Sequence, residues 1–192
     1  MALPFRRLTF DDLRALPDDG WRHELVEGEL IVSPAPSPLH QLLLYALYGL
    51  MHSHVVKRRL GLLLGAPIDV KFSDLDGLQP DICFIAAGRA GVLTSRFING
   101  APDLVVEILS PSSTRHDLRT KRERYERFGV REYWVLDPDS ERMLVHRLID
   151  GLYQTELGDQ TRIRSEVIDG FVLDVPKLFA QVRREMGLLP EE

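Results

Sequence analysis

The 192 residues suit a single domain, 1–192, with enough chain to bury a core without staples, and the hydrophobic and charged fractions, 44% and 28%, are those of an ordinary soluble globular protein. A formal charge of −5 disfavours a broad electropositive surface for DNA, while leaving room for a local basic patch. The lone Cys83 excludes an intramolecular disulfide and makes no zinc site by itself. No apolar run approaches the roughly 18 residues of a spanning helix, and MALPFRRLTF carries two arginines without a long apolar segment after them. Neither membrane nor signal peptide is expected, and the expected location is cytoplasmic.

In chain order, LTFDDLRAL (8–16) predicts a short helix, with Thr9 as N-cap and Asp12 as the acid of a capping box. Pro17 to Gly20 breaks it. In WRHELVEGELIVSP two short runs flank Glu27-Gly28, which predicts a β-hairpin ending near Ser33, with Glu24 in its first arm. The loop SPAPSPLH precedes a helix from about Pro38 to about Arg59, on which Leu39, Leu43, Ala46, Leu47, Leu50 and His54 make an apolar stripe. Gly61 to Phe72 is strand material interrupted by Pro67. SDLDGLQ reads as a turn, and PDICFIA as a strand with Asp81 at its mouth.

The next strand is the informative one. Leu104 to Leu109 is apolar at every position except Glu107, bounded by Pro102 and Pro111, and reads as a central strand covered on both faces. A carboxylate there costs free energy unless a metal, a cation or a hydrogen bond compensates it. A helix from about His116 to Phe128 follows, with Gly129 as its stop, and then the strand EYWVLDP, apolar enough to lie beside the central one. Beyond Pro138, RMLVHRL and GLYQTEL predict an antiparallel meander with turns at Asp139-Ser140 and Asp150-Gly151, and a helix from about Pro176 to Met186 closes the chain.

Within the central strand Asp103, Val105, Glu107 and Leu109 share one face. Asp81 lies beside Glu107 if the two strands are neighbours, and two adjacent carboxylates repel unless a cation intervenes. Oxygen-only ligation of that kind suits Mg²⁺ or Mn²⁺. On the following helix Asp117, Lys121 and Tyr125 are spaced by four along one face, and an inward lysine there would need Glu107 as its carboxylate.

These residues carry a resemblance. Asp81 in Gln-Pro-Asp-Ile and Glu107 in Val-Val-Glu-Ile-Leu-Ser-Pro-Ser resemble the acidic pair of the PD-(D/E)XK phosphodiesterase superfamily. The strings HELVEGELIVSPAPSPLHQ, PDICFI, PDLVVEILSPSS and DLRTKRERYERFGVREYWVLDP together resemble the Uma-type "putative restriction endonuclease" family, formerly a domain of unknown function, from about Phe10 to about Leu173. The resemblance implies a mixed α+β, restriction-endonuclease-like fold: a central mixed sheet flanked by helices, with the acidic pair on neighbouring strands. It implies that Asp81 and Glu107 hold the metal, that Glu24 matches a family acid able to complete the shell, and that Lys121 supplies the lysine. The superfamily signature places that lysine two residues after the glutamate, where this chain has Leu109. The implied activity is divalent-metal-dependent cleavage of nucleic acid, DNA foremost, by a homodimer.

Each residue also has a plainer role available. Asp81 could be a solvent-exposed turn acid, Glu107 half of a structural ion pair, and Lys121 part of the solvated face of KRERYER. Glu24 divides between metal site and hairpin surface, His40 at a helix start reads as structural, and Ser110, Ser112 and Ser113 as helix caps. The rival function is a catalytically inactive or regulatory protein that keeps the fold for binding. A Lys121 pointing to solvent, out of reach of Glu107, would favour it.

Overall fold

The computed structural model describes residues 6–110, 115–156 and 161–187, without the side chains of residues 115–117. Ser112 and Ser113, expected as caps, and the side chain of Asp117 lie outside what it describes. The elements begin with α1 (Phe10–Arg14), β1 (Arg22–Val26), β2 (Glu29–Ser33) and α2 (Pro38–Arg58). Strands β3 (Gly61–Gly65), β4 (Val70–Lys71), β5 (Gly77–Leu78), β6 (Ile82–Ala86), β7 (Ile98–Asn99) and β8 (Leu104–Ile108) lead to α3 (Arg115–Arg127). Then come β9 (Glu132–Asp137), β10 (Arg142–Ile149), β11 (Leu152–Thr155), β12 (Arg162–Arg164), β13 (Val172–Asp174) and α4 (Val175–Glu185).

Local chemistry accounts for most boundaries. The Thr9 side chain accepts from the Asp12 N–H while the Asp12 carboxylate accepts from the Thr9 N–H, so the predicted capping box opens α1. Between β1 and β2 the two turn residues Glu27 and Gly28 both have positive φ, 50° and 81°, the backbone that a two-residue hairpin with right-handed strand twist requires. The α3 helix stops where the Val130 N–H reaches the Tyr125 carbonyl and the Gly129 N–H reaches that of Glu126, with Gly129 at φ 81°.

The main sheet has six strands in the order β11-β10-β9-β8-β6-β3, and β8 lies inside it, antiparallel to β6 and parallel to β9. A second sheet runs β2-β1-β5-β4-β7, and β12 pairs with β13 as a separate hairpin beyond the predicted meander. The segment SDLDGLQ, expected as a turn alone, contributes β5, which joins the hairpin through Leu25 and Gly77. Alternation along β8 sends Leu104, Val106 and Ile108 into one buried cluster with α2, α4, Trp134 and Leu136. Val105 goes to the other face, with Tyr125 of α3, Tyr133, and Val70, Leu78 and Ile98 of the second sheet. Mixed sheets flanked by helices are what the sequence predicted.

One face was misjudged. The buried residues of α2 are His40, Leu43, Leu44, Ala46, Leu47, Met51 and Val55, so Leu43, Ala46 and Leu47 of the predicted stripe face inward and Leu39 partly does, while Leu50 is 44% exposed and His54 turns to the Asp169 carbonyl. The inward row follows the i, i+4 steps from Leu43 through Leu47, Met51 and Val55, a fraction of a turn from the predicted stripe.

Candidate functional site

Register brings the two acids together. Ile82 pairs with Val106 and Cys83 with Val105, and the same antiparallel register carried one step further sets Asp81 opposite Glu107. Both are buried, with 2% and 5% of their surface exposed. Asp81 Oδ2 accepts from the Ile108 N–H at 2.7 Å and lies 3.2 Å from His40 Nε2. An ionised carboxylate can only accept, so Nε2 carries the hydrogen in that contact. Glu107 Oε1 accepts from the Tyr125 hydroxyl at 2.6 Å and from Lys121 Nζ at 3.0 Å.

The hairpin supplies the rest. Glu24 Oε1 accepts from the Gln79 N–H at 2.8 Å and from Lys121 Nζ at 2.9 Å, so the ammonium bridges Glu24 and Glu107. Two residues before Glu24 on the same strand, Arg22 extends its guanidinium into the middle of the acids. It is 3.2 Å from Glu24 Oε1, 3.3 Å from Asp81 Oδ1 and 3.5 Å from Glu107 Oε2, and it also donates to the Gln79 carbonyl. All five charged groups, with His40, line one cavity of about 420 Å³, whose wall includes Trp21, Ile31, Pro34, Leu44 and Pro67.

Burial raises the Asp81 carboxyl, but the His40 hydrogen bond and the Arg22 guanidinium outweigh it and hold the group below its ordinary range. Burial is likewise the largest influence on Glu24, overcome by Lys121 and Arg22, so this carboxyl is also lowered. Glu107 goes the other way. Burial raises it, Lys121 and Arg22 offset this only in part, and neighbouring Asp81 and Glu24 push it further up. Three carboxylates face two permanent cations, and Glu107 is the one whose charged form is least compensated. Burial, then Glu107, raises the Tyr125 phenol, which therefore stays a donor.

The donor set suits a hard divalent cation. Each acid of the pair commits one oxygen to the protein, while Asp81 Oδ1 and Glu107 Oε2 meet Arg22 at distances beyond the usual N–H···O range. Among the described residues no three His, Cys, Asp or Glu side chains are grouped so as to hold an ion, so the side chains offer this pair rather than a closed cage. Mg²⁺ is commonly held by one or two carboxylates, completing its shell with waters and substrate phosphate. The residues fit the group on those terms. Glu24, expected as a further ligand, has its Oε1 committed to Lys121 and the Gln79 N–H.

The structure thus brings Asp81, Glu107, Lys121 and Glu24 into one cluster. Sequence reasoning passed over Arg22 and read His40 as structural. The histidine's place in SPLHQ, at the start of a helix next to the cavity, was the available signal; Arg22 had none beyond sitting two residues from Glu24 on one strand face.

Comparison with known proteins agrees with this architecture. A solved structure from Anabaena variabilis, described as a putative nuclease belonging to DUF820, is 22% identical, superposes with a TM-score of 0.77, and the match covers 91% of this chain and 99% of that one. At that identity the likeness speaks for the fold. No curated protein matches the chain. The family model Uma2, described as "Putative restriction endonuclease", matches residues 10–176. The chain belongs to that family.

Proposed function

We propose that this protein is a divalent-metal-dependent nuclease that hydrolyses phosphodiester bonds, with Asp81 and Glu107 holding Mg²⁺ or Mn²⁺. The observation that carries this reading is the antiparallel Asp81–Glu107 pair lining one cavity, each acid with one oxygen fixed by short hydrogen bonds and the other meeting Arg22 at 3.3 and 3.5 Å. A bound divalent cation supplies an acidified water and neutralises phosphate charge. Lys121, tethered by Glu24 and Glu107, stabilises charge developing on the phosphate oxygens and orients the attacking water. Tyr125 fixes the rotamer of Glu107, and His40 with the Ile108 N–H fixes that of Asp81. Trp21, 54% exposed at the wall, offers a face on which a base stacks.

On this reading the substrate is nucleic acid, DNA before RNA, and the chain is one domain over residues 1–192 that works as a cytoplasmic homodimer. No helix among the described residues is long and apolar enough to cross a membrane. The test is Glu107→Gln, with Mn²⁺ affinity followed by calorimetry and cleavage assayed on single- and double-stranded DNA and on RNA. Loss of both is expected; unchanged Mn²⁺ affinity overturns the site. Sedimentation separates monomer from dimer.

A second reading, a catalytically inactive protein that uses the cavity for binding, has one observation in its favour. A guanidinium already stands among the three acids. Wild-type protein that binds neither Mg²⁺ nor Mn²⁺ at millimolar concentration would establish it in place of the nuclease.

A further inference from the structure

Arg22 occupies the ground on which the nuclease reading depends. Its guanidinium lies nearly equidistant from Glu24, Asp81 and Glu107, at 3.2, 3.3 and 3.5 Å, and two of those contacts are to Asp81 Oδ1 and Glu107 Oε2, the oxygens of the pair not taken by the short hydrogen bonds from Ile108 and Tyr125. A dication between Asp81 and Glu107 and a guanidinium in the same place would repel each other at contact distance. One must leave.

The geometry points to Arg22 as an internal counter-cation: it holds the three acids together in the metal-free protein, and a divalent cation binds by displacing its guanidinium into the cavity. This rests on the metal-dependent reading above. Arg22 has one close anchor, the Gln79 carbonyl, which displacement must release, yet three features make it the mobile partner. Its carboxylate contacts are long, its Nε lacks a hydrogen-bond partner among the described residues, and its side chain is 24% exposed on the cavity wall. Lys121, by contrast, is held at 2.9 and 3.0 Å and is 14% exposed.

The charges favour the exchange. With all three carboxylates ionised, as a bound cation favours, Arg22 and Lys121 leave one net negative charge, and a dication in the position of Arg22 brings the cluster to neutrality. The displaced guanidinium remains in the cavity, where a phosphodiester offers two oxygens matched to its fork. Metal and phosphodiester therefore assist each other's binding, because the phosphate gives Arg22 a new partner.

The test compares wild type, Arg22→Gln and Arg22→Lys by melting temperature in chelator and by calorimetric titration with Mn²⁺. Arg22→Gln is expected to melt lower than wild type in chelator, to bind Mn²⁺ at least tenfold more tightly, and to gain more thermal stability from the ion. Arg22→Gln that folds only with Mn²⁺ present supports the inference as well. Should it fold under neither condition, Arg22→Lys carries the test, and equal or weaker Mn²⁺ binding than wild type in the folded variant overturns the displacement. Folded wild type and folded variants that all fail to bind Mn²⁺ would instead overturn the metal-dependent reading itself. Addition of a non-hydrolysable phosphodiester, which also coordinates the ion directly, is expected to tighten Mn²⁺ binding more in wild type than in Arg22→Gln; equal effects in both would remove Arg22 from that coupling.

Discussion

The ammonium of Lys121 lies 3.0 Å from Oε1 of Glu107, although it comes from the helix after the strand rather than from the strand itself. Leu109, at the position where the superfamily signature has lysine, packs partly buried in the cluster around Val105 and Tyr125. The helix α3 lays Lys121 and Tyr125, one turn apart, over the face of β8 that carries Glu107.

Removing that charge should be costly twice over. Lys121→Met leaves Glu24 and Glu107 buried with only the longer Arg22 contacts in common, and breaking a buried ion pair costs about 3–5 kcal/mol. Urea unfolding should register that loss, and adding Glu24→Gln should recover part of it. Cleavage should fall by roughly 10²-fold or more, as when a fixed charge-stabilising donor is deleted. Full activity in Lys121→Met would remove it from the chemistry.

Tyr125→Phe isolates a single bond. The ring is fully buried against Phe72 and Tyr133 and keeps its packing, while the 2.6 Å donation to Glu107 is lost. A bond to a charged acceptor is worth about 2 kcal/mol, which urea unfolding should report. Mn²⁺ affinity should drop less than in Glu107→Gln, since the acid remains and only its rotamer is freed.

His146 predicts a pH dependence unconnected with the site. It stacks at 5.4 Å on Tyr133, its Nδ1 is 2.8 Å from the Thr155 hydroxyl, and burial, then Arg122, pulls it from 6.5 to about 4. The unfolded chain therefore takes up the proton first as pH falls. The contribution is fully present above about pH 6.5 and is lost as pH drops towards 4, amounting to no more than about 2 kcal/mol at pH 5. Melting temperatures between pH 8 and pH 5 should fall less steeply in His146→Phe than in wild type.

Gly77→Ala should loosen the hairpin that carries Arg22 and Glu24. A Cβ at this position would lie 2.6 Å from Cδ2 of Phe10, whose ring is 1% exposed and has nowhere to go. Overpacking of that kind costs about 1–3 kcal/mol, and amide exchange along β1 should accelerate with it.

What the sequence disclosed follows from the range of the forces involved. The Thr9–Asp12 box, the Glu27-Gly28 turn and the Gly129 stop are set by neighbours within a few residues and were readable there. Glu107 was readable because an acid in an apolar strand is locally anomalous, whereas Asp81, Glu24 and Lys121 were assigned their roles through the family resemblance. Strands β4, β5 and β7, two residues each, are too short for any period to show, so the second sheet stayed hidden. Arg22 was hidden with it, since β1 joins that sheet through the Leu25–Gly77 pairing and Arg22 contacts Asp81 and Glu107 only in the tertiary structure. In α2 an excess of leucines left several faces equally apolar, and the chosen one was a fraction of a turn out.

The contacts within the cluster span long stretches of chain: 59 residues from Arg22 to Asp81, 85 from Arg22 to Glu107, and 97 from Glu24 to Lys121. Contacts so remote form only after the intervening loops have closed, which makes them slow to arrive. A nascent chain that has not yet emerged past α3 holds the acids and Arg22 but lacks the lysine that bridges Glu24 and Glu107. The centre therefore comes into being only as folding is completed, and an incompletely made chain stays without it.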